Sequence, residues 1–387
     1  MTPARRPQIS DSARLLVWAK SAGRCTLCNA LVTENENLGE AVTIGELAHN
    51  VGWAESSPRG ESNLSAEGRA ACDNLLLLCR NCHKPIDANG QIGRYSVEEL
   101  ARFKREHEQR IEMLTGVGAD RKATLIRVVG TIRGAQPELT YDTVLGALVK
   151  SGHFPDLLPN AFRAEYELDL RNITEPYSAA DFATCTRQID ALVGRINEGI
   201  KLGAVSRLAV FGFARIPVLI YLGAHLDDKV ATLIFQRQRT DDANAWSWPE
   251  ASDVVDFDVS LLKQGSERGN VALLLNLSGT IGIEELPTAQ QESYSIYSVA
   301  PSLPMTPGPS LVISPGTLVN FDRAVREFLS VAESSHGKIA RVDVFAAVPV
   351  SVAVSIGRAL MPSVSPVLRV FDRDESGQFF EALEVKR

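Results

Sequence analysis

Fourteen residues from Val210, VFGFARIPVLIYLG, return from Val344 as VFAAVPVSVAVSIG. In both copies twelve positions separate a phenylalanine from a glycine (Phe211 to Gly223, Phe345 to Gly357), and a proline lies between them. A later segment, VATLIFQR or SPVLRVFDR, ends each copy in Phe-x-Arg. A strand, a loop, a helix and a second strand written twice predict two fused copies of one α/β unit. The offset of 134 residues between Phe211 and Phe345 is too long for a solenoid repeat and suits a duplicated half-domain.

The rest of the chain reads differently. A helix is expected over residues 11–22, a strand over 42–44, a Ser/Gly/Pro-rich loop over 55–68, and a second helix opening on a capping box from Ser96 to Glu99. TGVGAD at 115–120 marks a hinge, so the expected division is 1–115, a linker at 116–121, and 122–387, where ATLIRVVGTI supplies the first strand. With 387 residues, 45% of them hydrophobic and 22% charged, there is ample material for two such domains. The longest apolar run, LAVFGFARIPVLIYLG from Leu208, is shorter than a bilayer span of about 20 residues and is broken by Arg215, so no membrane segment is expected. No apolar stretch follows Arg5 and Arg6, so a secretory signal is not expected and a cytoplasmic protein is.

In a reducing compartment six cysteines point to metal rather than disulfides. Four form two C-x-x-C pairs, Cys25 with Cys28 and Cys79 with Cys82, and two such knuckles make a tetrathiolate site for structural Zn2+. Cys72 and Cys185 have no partner at metal spacing and read as small apolar residues. Residues 1–120 carry 14 Lys+Arg against 16 Asp+Glu, so this part is no polycation. A local basic cluster (Arg80, Lys84, Arg94, Arg102, Lys104, Arg105) is interleaved with glutamates, and a solvated helix face is the competing reading.

Between and beside the knuckles stand His49 in ELAHN, Asn74 in DNLLLLC and His83 in CRNCH, with Asp87 one helical turn beyond His83. At these residues the sequence resembles the HNH endonuclease family. The resemblance implies a ββα-metal fold pinned by the four-cysteine zinc site and holding one divalent metal, Mg2+ or another, against a phosphodiester. By the same resemblance His49 is the general base, Asn74 braces the loop that aims it, and His83, with Asp87, holds the catalytic metal; imidazole suits the first role because its pKa lies near working pH. Many members carry Asp or His just before the first His, where this chain has Ala48. Glu46, on the same strand face, is the candidate replacement, with a plain surface carboxylate as the competing reading.

The duplicated region resembles the SAVED domain, built of two fused CARF-like Rossmann-type units that sense cyclic oligonucleotides; the resemblance rests on GFARIPVLIYLG, IFQRQR with WSW, LLLNLSGTIG and VFAAVPVSVAVSIG with VFDR. Loops leaving the carboxyl ends of parallel strands line the crevice of such sheets. The expected ligand residues are therefore Arg215, Pro217, Ser278, Thr280, Pro349 and Arg373, with Trp246 or Trp248 stacking a base. One tryptophan filling core, and Arg237 and Arg373 as solvated strand ends, are the competing readings.

Together the two resemblances look like the HNH-SAVED effector nucleases of CBASS antiphage defence. They imply an endonuclease that cuts double-stranded DNA once a cyclic di- or trinucleotide drives homo-oligomerisation to a dimer or larger assembly. A near-neutral nuclease segment fits, because several copies gain the grip on DNA that one lacks. The alternatives are a modification-dependent restriction endonuclease whose C-terminal region reads DNA, opposed by the acidic charge of 122–387, and a non-catalytic zinc protein, opposed by His49 and His83.

Overall fold

The computed structural model describes residues 8–33, 43–88, 94–135, 139–156, 166–173, 175, 178–226, 228–239, 245–250, 253–267 and 269–387. The chain divides into two compact units, Met1–Gly118 and Ala119–Arg387.

In the N-terminal unit, α1 (Asp11–Lys20) starts where the Ser10 hydroxyl accepts the Ala13 N–H, and it stops before Ala22 and Gly23, which both take left-handed φ. The expected strand at 42–44 lies elsewhere: Val42 is outside the described residues, Ile44 gives its N–H to Val32 O, and β1 runs Gly45–His49. Cross-strand pairing decides this. β1 is antiparallel to β2 (Leu75–Cys79) with Gly45 opposite Cys79 and His49 opposite Leu75, after the short α2 (Ala66–Ala70). A Cβ at Gly45 would collide with Trp18, so only glycine lets the strand begin against α1. All of β2 is buried. α3 (Arg80–Ile86) follows it without a loop, and α4 (Val97–Thr115) begins with the Ser96 hydroxyl accepting the Glu99 N–H. Arg102 is bracketed by Glu99 and Glu106 and Lys104 is tied to Glu108, so this part of the basic cluster is neutralised along its own helix.

The C-terminal unit holds two sheets. In the first, β3 (Lys122–Val129) pairs in parallel with β4 (Phe154–Pro155), which follows α5 (Tyr141–Lys150), and with β5 (Glu167–Asp169). After the long α6 (Ala179–Lys201), β6 (Arg207–Phe213) joins the other side of β3, and α7 (Ile216–His225) crosses over to β7 (Ala231–Phe235). The second sheet begins with β8 (Phe257–Lys263) and β9 (Val271–Asn276); past α8 (Thr288–Ser293) comes β10 (Ser295–Pro301). It continues with α9 (Pro315–His336), β11 (Arg341–Ala347), α10 (Val350–Ala359), β12 (Val367–Arg373) and β13 (Phe379–Val385). Its order is β13-β12-β11-β9-β10-β8, with parallel inner strands and antiparallel edges.

The sequence repeat is a structural one. β6-α7-β7 and β11-α10-β12 are the two copies, and the phenylalanines stack in each: Phe211 on Phe235 at 4.2 Å and Phe345 on Phe371 at 4.5 Å. α7 and α10 cross at the paired glycines. A Cβ on Gly223 would overlap the carbonyl oxygen of Val354, and one on Gly357 would overlap that of Ile220. Ile220 and Val354 are themselves equivalent in the repeat, so the contact is reciprocal, as a local two-fold axis requires. One buried apolar cluster runs through both copies. Among the described residues no helix is long and apolar enough to cross a membrane.

Candidate functional site

In the N-terminal unit the four cysteines converge, with their sulfurs all within 4.8 Å of one another and Cys28 Sγ 3.7 Å from Cys79 Sγ. Zn–S bonds of about 2.3 Å put the sulfurs of a tetrahedral site about 3.8 Å apart, so the set can hold one ion. Its electrostatics ask for one. Burial pushes the Cys25 thiol up, but the N–H groups of Cys28, Cys79 and Leu27 outweigh it and bring Cys25 below the ordinary thiol value. Cys82 is pushed strongly up, by burial and by the thiols around it. Four adjacent sulfurs cannot all ionise without a cation among them. Cys185 lies in the core, its thiol raised to about 11 by burial, and Cys72 packs against the N-terminal core.

His49 closes β1 and is nearly buried, and the chain leaving it is held on both sides. Asn74 Oδ1 accepts the Val51 N–H (2.8 Å), its Nδ2 donates to Val51 O and Arg69 O (both 2.9 Å), and its carbonyl accepts the Asn50 N–H. Two arginines that sequence reading missed complete the frame. Arg59 donates to Asn50 O, His49 O, Ile86 O and Asp87 Oδ1, and Arg69 donates to the carbonyls of Gly52, Gly60, Ser62 and Leu64. Neither belongs to a motif. The only signal was their position in and just after a loop too polar to pack unaided.

His83 lies on α3 between two carboxylates. Its Nδ1 is 2.7 Å from Glu46 Oε2 and its Nε2 is 3.6 Å from Asp87 Oδ2. Asp87 chiefly, against the cost of burial and with help from Glu46, raises the imidazole pKa. Glu46 thus sits as the partner of His83 Nδ1, and with Nδ1 occupied Nε2 is the nitrogen left to face a cation beside Asp87. At 3.6 Å the Nε2–Oδ2 pair is too long for a direct hydrogen bond and suits two ligands of one ion. Among the described residues, the cysteines are the one group of three or more metal-binding side chains that closes into a single shell.

The C-terminal unit has a cleft of about 760 Å³ at the carboxyl ends of its strands. The repeat builds it. Gln236, the middle residue of Phe235-Gln-Arg237, accepts hydrogen bonds from the Ser351 N–H (3.1 Å) and hydroxyl (2.7 Å) at the start of α10. Asp372, the middle residue of Phe371-Asp-Arg373, accepts from Arg215 Nε (2.8 Å) at the start of α7. Each half therefore ties down the other half's helix N-terminus, and both positive helix ends flank the cleft.

Arg215, Ser278, Thr280, Pro349 and Arg373 all line this cleft; Pro217, Trp246 and Trp248 do not. Pro217 is buried in the first turn of α7, where its missing N–H costs nothing. Trp246 is fully buried, edge-on to Phe211 at 5.7 Å, and Trp248 packs against the same core. The expectation that Trp246 stacks a base is corrected: its ring closes the face of the first sheet. Arg215 lines the cleft and is also held by the protein. Beyond Asp372 it donates to Glu175 Oε1 and Arg373 O, both at 3.0 Å, so it braces the wall between the halves. Burial outweighs Arg215 and raises the Asp372 carboxyl.

The sequence also hid a second echo. Gly130-Thr131-Ile132 after β3 repeats as Gly279-Thr280-Ile281 after β9, at a spacing different from that of the main repeat. Both loops reach the cleft, the first through Ile132 and Arg133. Arg133 takes a left-handed φ, and its N–H and that of Gly134 both bind the Glu175 carboxylate.

The family model described as "SMODS-associated and fused to various effectors sensor domain" (SAVED) matches residues 188–385. No curated protein matches the sequence. A solved structure of the Acinetobacter baumannii Cap4 SAVED/CARF-domain containing receptor with the cyclic trinucleotide 2'3'3'-cAAA is similar at 13% identity, covering 80% of this chain and 61% of that one, with a TM-score of 0.40. The same receptor with 3'3'3'-cAAA is similar at 14% identity, the same coverage and a TM-score of 0.40. The chain thus spans about three fifths of the length of these receptors.

Proposed function

Since the chain belongs to the SAVED sensor family, we propose that it is an antiphage effector in which the C-terminal unit senses a cyclic oligonucleotide and the N-terminal unit is an HNH-type endonuclease. The observation that carries the sensing half is the cleft itself. Two helix N-termini and the side chains of Arg133, Arg237, Arg239 and Arg373 meet there in a chain of net charge −7, a concentration of positive potential that suits a phosphodiester ligand. A ligand changes an equilibrium only by binding its two states unequally. A cleft whose walls belong to two half-domains offers that difference, because its shape depends on how the halves sit.

The nuclease half rests on the run β1, β2, α3 with His49 at a strand end, Asn74 holding the following loop, and His83 and Asp87 one turn apart on the helix. His49 is assigned as the general base that takes a proton from water. His83 Nε2 and Asp87 Oδ2 are the side-chain groups that would hold a divalent ion such as Mg2+, which supplies charge stabilisation to the pentavalent phosphorus and the leaving oxygen. Glu46 keeps the His83 ring oriented. Zinc at the four cysteines is assigned a structural role, joining the first knuckle to the start of α3.

The test is plasmid cleavage with Mg2+ by the full chain, with and without cyclic di- and trinucleotides, alongside light scattering. Cleavage and a rise in molecular mass that both depend on one ligand are expected. Full-rate cleavage without ligand would refute the sensing half; no cleavage under any ligand would refute the nuclease half.

A further inference from the structure

Four arginines line the cleft besides the brace Arg215, and the fold spends them unequally. Arg373 is engaged: its guanidinium donates to Gly377 O and Glu285 Oε2, both at 2.6 Å, and lies 4.1 Å over the Phe379 ring. Arg237 occupies the same place in the other copy, two residues beyond the stacked phenylalanine, yet its environment is different. Its Nε is buried with no hydrogen-bond partner among the described residues, and no carboxylate there pairs with it. The neighbour between it and the end of its strand is neutral Gln236, where the other copy has Asp372. The two-fold of the backbone is therefore broken in charge: one end of the cleft is closed by Glu285, Asp372 and Glu175, and the other presents a guanidinium with exposed Arg239 beyond it.

The buried Nε–H of Arg237 without an acceptor is costly, and a guanidinium carries four further N–H donors beside it. A phosphate diester offers two oxygens at the spacing of that fork. We infer that Arg237 is the phosphate-binding residue of the cleft, so that a cyclic oligonucleotide binds with one phosphodiester fixed at the β7 end. This rests on the cyclic-oligonucleotide reading of the same cleft. It also separates the roles of two arginines: Arg215 positions the halves, and Arg237 touches the ligand.

The experiment is isothermal titration of the full chain with cyclic di-AMP, cyclic di-GMP, cyclic GMP-AMP and cyclic tri-AMP, each at low and high salt. For the member that binds best, Arg237→Gln is expected to weaken binding about 10- to 100-fold and to flatten the salt dependence, with an unchanged melting temperature. Arg237→Lys should recover part of the loss. Arg341→Gln, paired with Glu384 at the opposite end of β11, is the control for loss of a positive charge. Should wild type bind a member of the set and Arg237→Gln bind it within twofold with the same salt slope, the assignment falls while the sensing function stands. Should wild type bind none, both fall.

Discussion

Gly357→Ala adds one methyl group where α10 crosses α7. The added Cβ would sit inside 3.0 Å of Ile220 O, Ala224 N and the Gly223 carbonyl carbon, closer than real Cβ atoms approach. All three are backbone atoms, so no rotamer change relieves the overlap, and the two helices have to part by about 1 Å in a core packed as densely as a crystal. Overpacking costs about 1–3 kcal/mol, and a rigid backbone neighbour places this site at the upper end. Alanine's better helix propensity returns about 1 kcal/mol. The net is about 2 kcal/mol of destabilisation, or a fall of about 4–8 °C in the melting of the C-terminal unit. Gly146→Ala is the matched control: it lies within α5 on an exposed position with nothing within 4 Å of its added Cβ, so the same substitution should raise the melting temperature by about 2–4 °C. Differential scanning calorimetry reads both. A Gly357→Ala protein melting at or above wild type would show that the two copies do not need the close crossing.

Other perturbations reach the remaining sites. Elemental analysis should find one zinc per chain, and Cys79→Ala should lose it together with hydrogen-exchange protection in β1 and β2, since binding at a structural zinc site is folding free energy. His49→Ala should cut DNA cleavage about 10²- to 10⁴-fold with zinc content and nucleotide binding unchanged; near-wild-type cleavage would move the base role elsewhere. Burial pushes the Asp322 carboxyl on α9 from the usual aspartate range up to about 6. The folded chain then holds a proton the unfolded chain releases, so this group's stabilisation is complete below about pH 4 and is lost as pH rises through about 6. Asp322→Asn should therefore flatten the stability profile in that window and stabilise the protein at pH 7 by up to about 3 kcal/mol, which urea titrations across pH 4–7 would reveal or refute.

What the chain states locally, it states alone. The two C-x-x-C pairs have the spacing of metal knuckles and their sulfurs do converge, Ser10 and Ser96 cap helices because a hydroxyl reaches an N–H three residues on, and the repeat around Phe211 and Phe345 declares two copies of one unit. Asp87 lies beside His83 because one helical turn puts it there. The start of β1 was not legible, since it depends on which residue of β2 pairs with it and on Trp18 crowding Gly45. Nor was the role of an arginine. Arg215 read as a ligand contact, and its second part as a brace was hidden because its partner Asp372 is 157 residues away; Arg237 read as a strand end and lines the cleft with its Nε unpaired among the described residues. Trp246 and Trp248 have a spacing that sets both rings on one side, and only the packed sheet shows that this side is the core. Spacing within a few residues encodes caps, knuckles and periodicity because the backbone geometry linking them is fixed; which charge is satisfied and which ring is covered depends on neighbours that only the folded chain brings together.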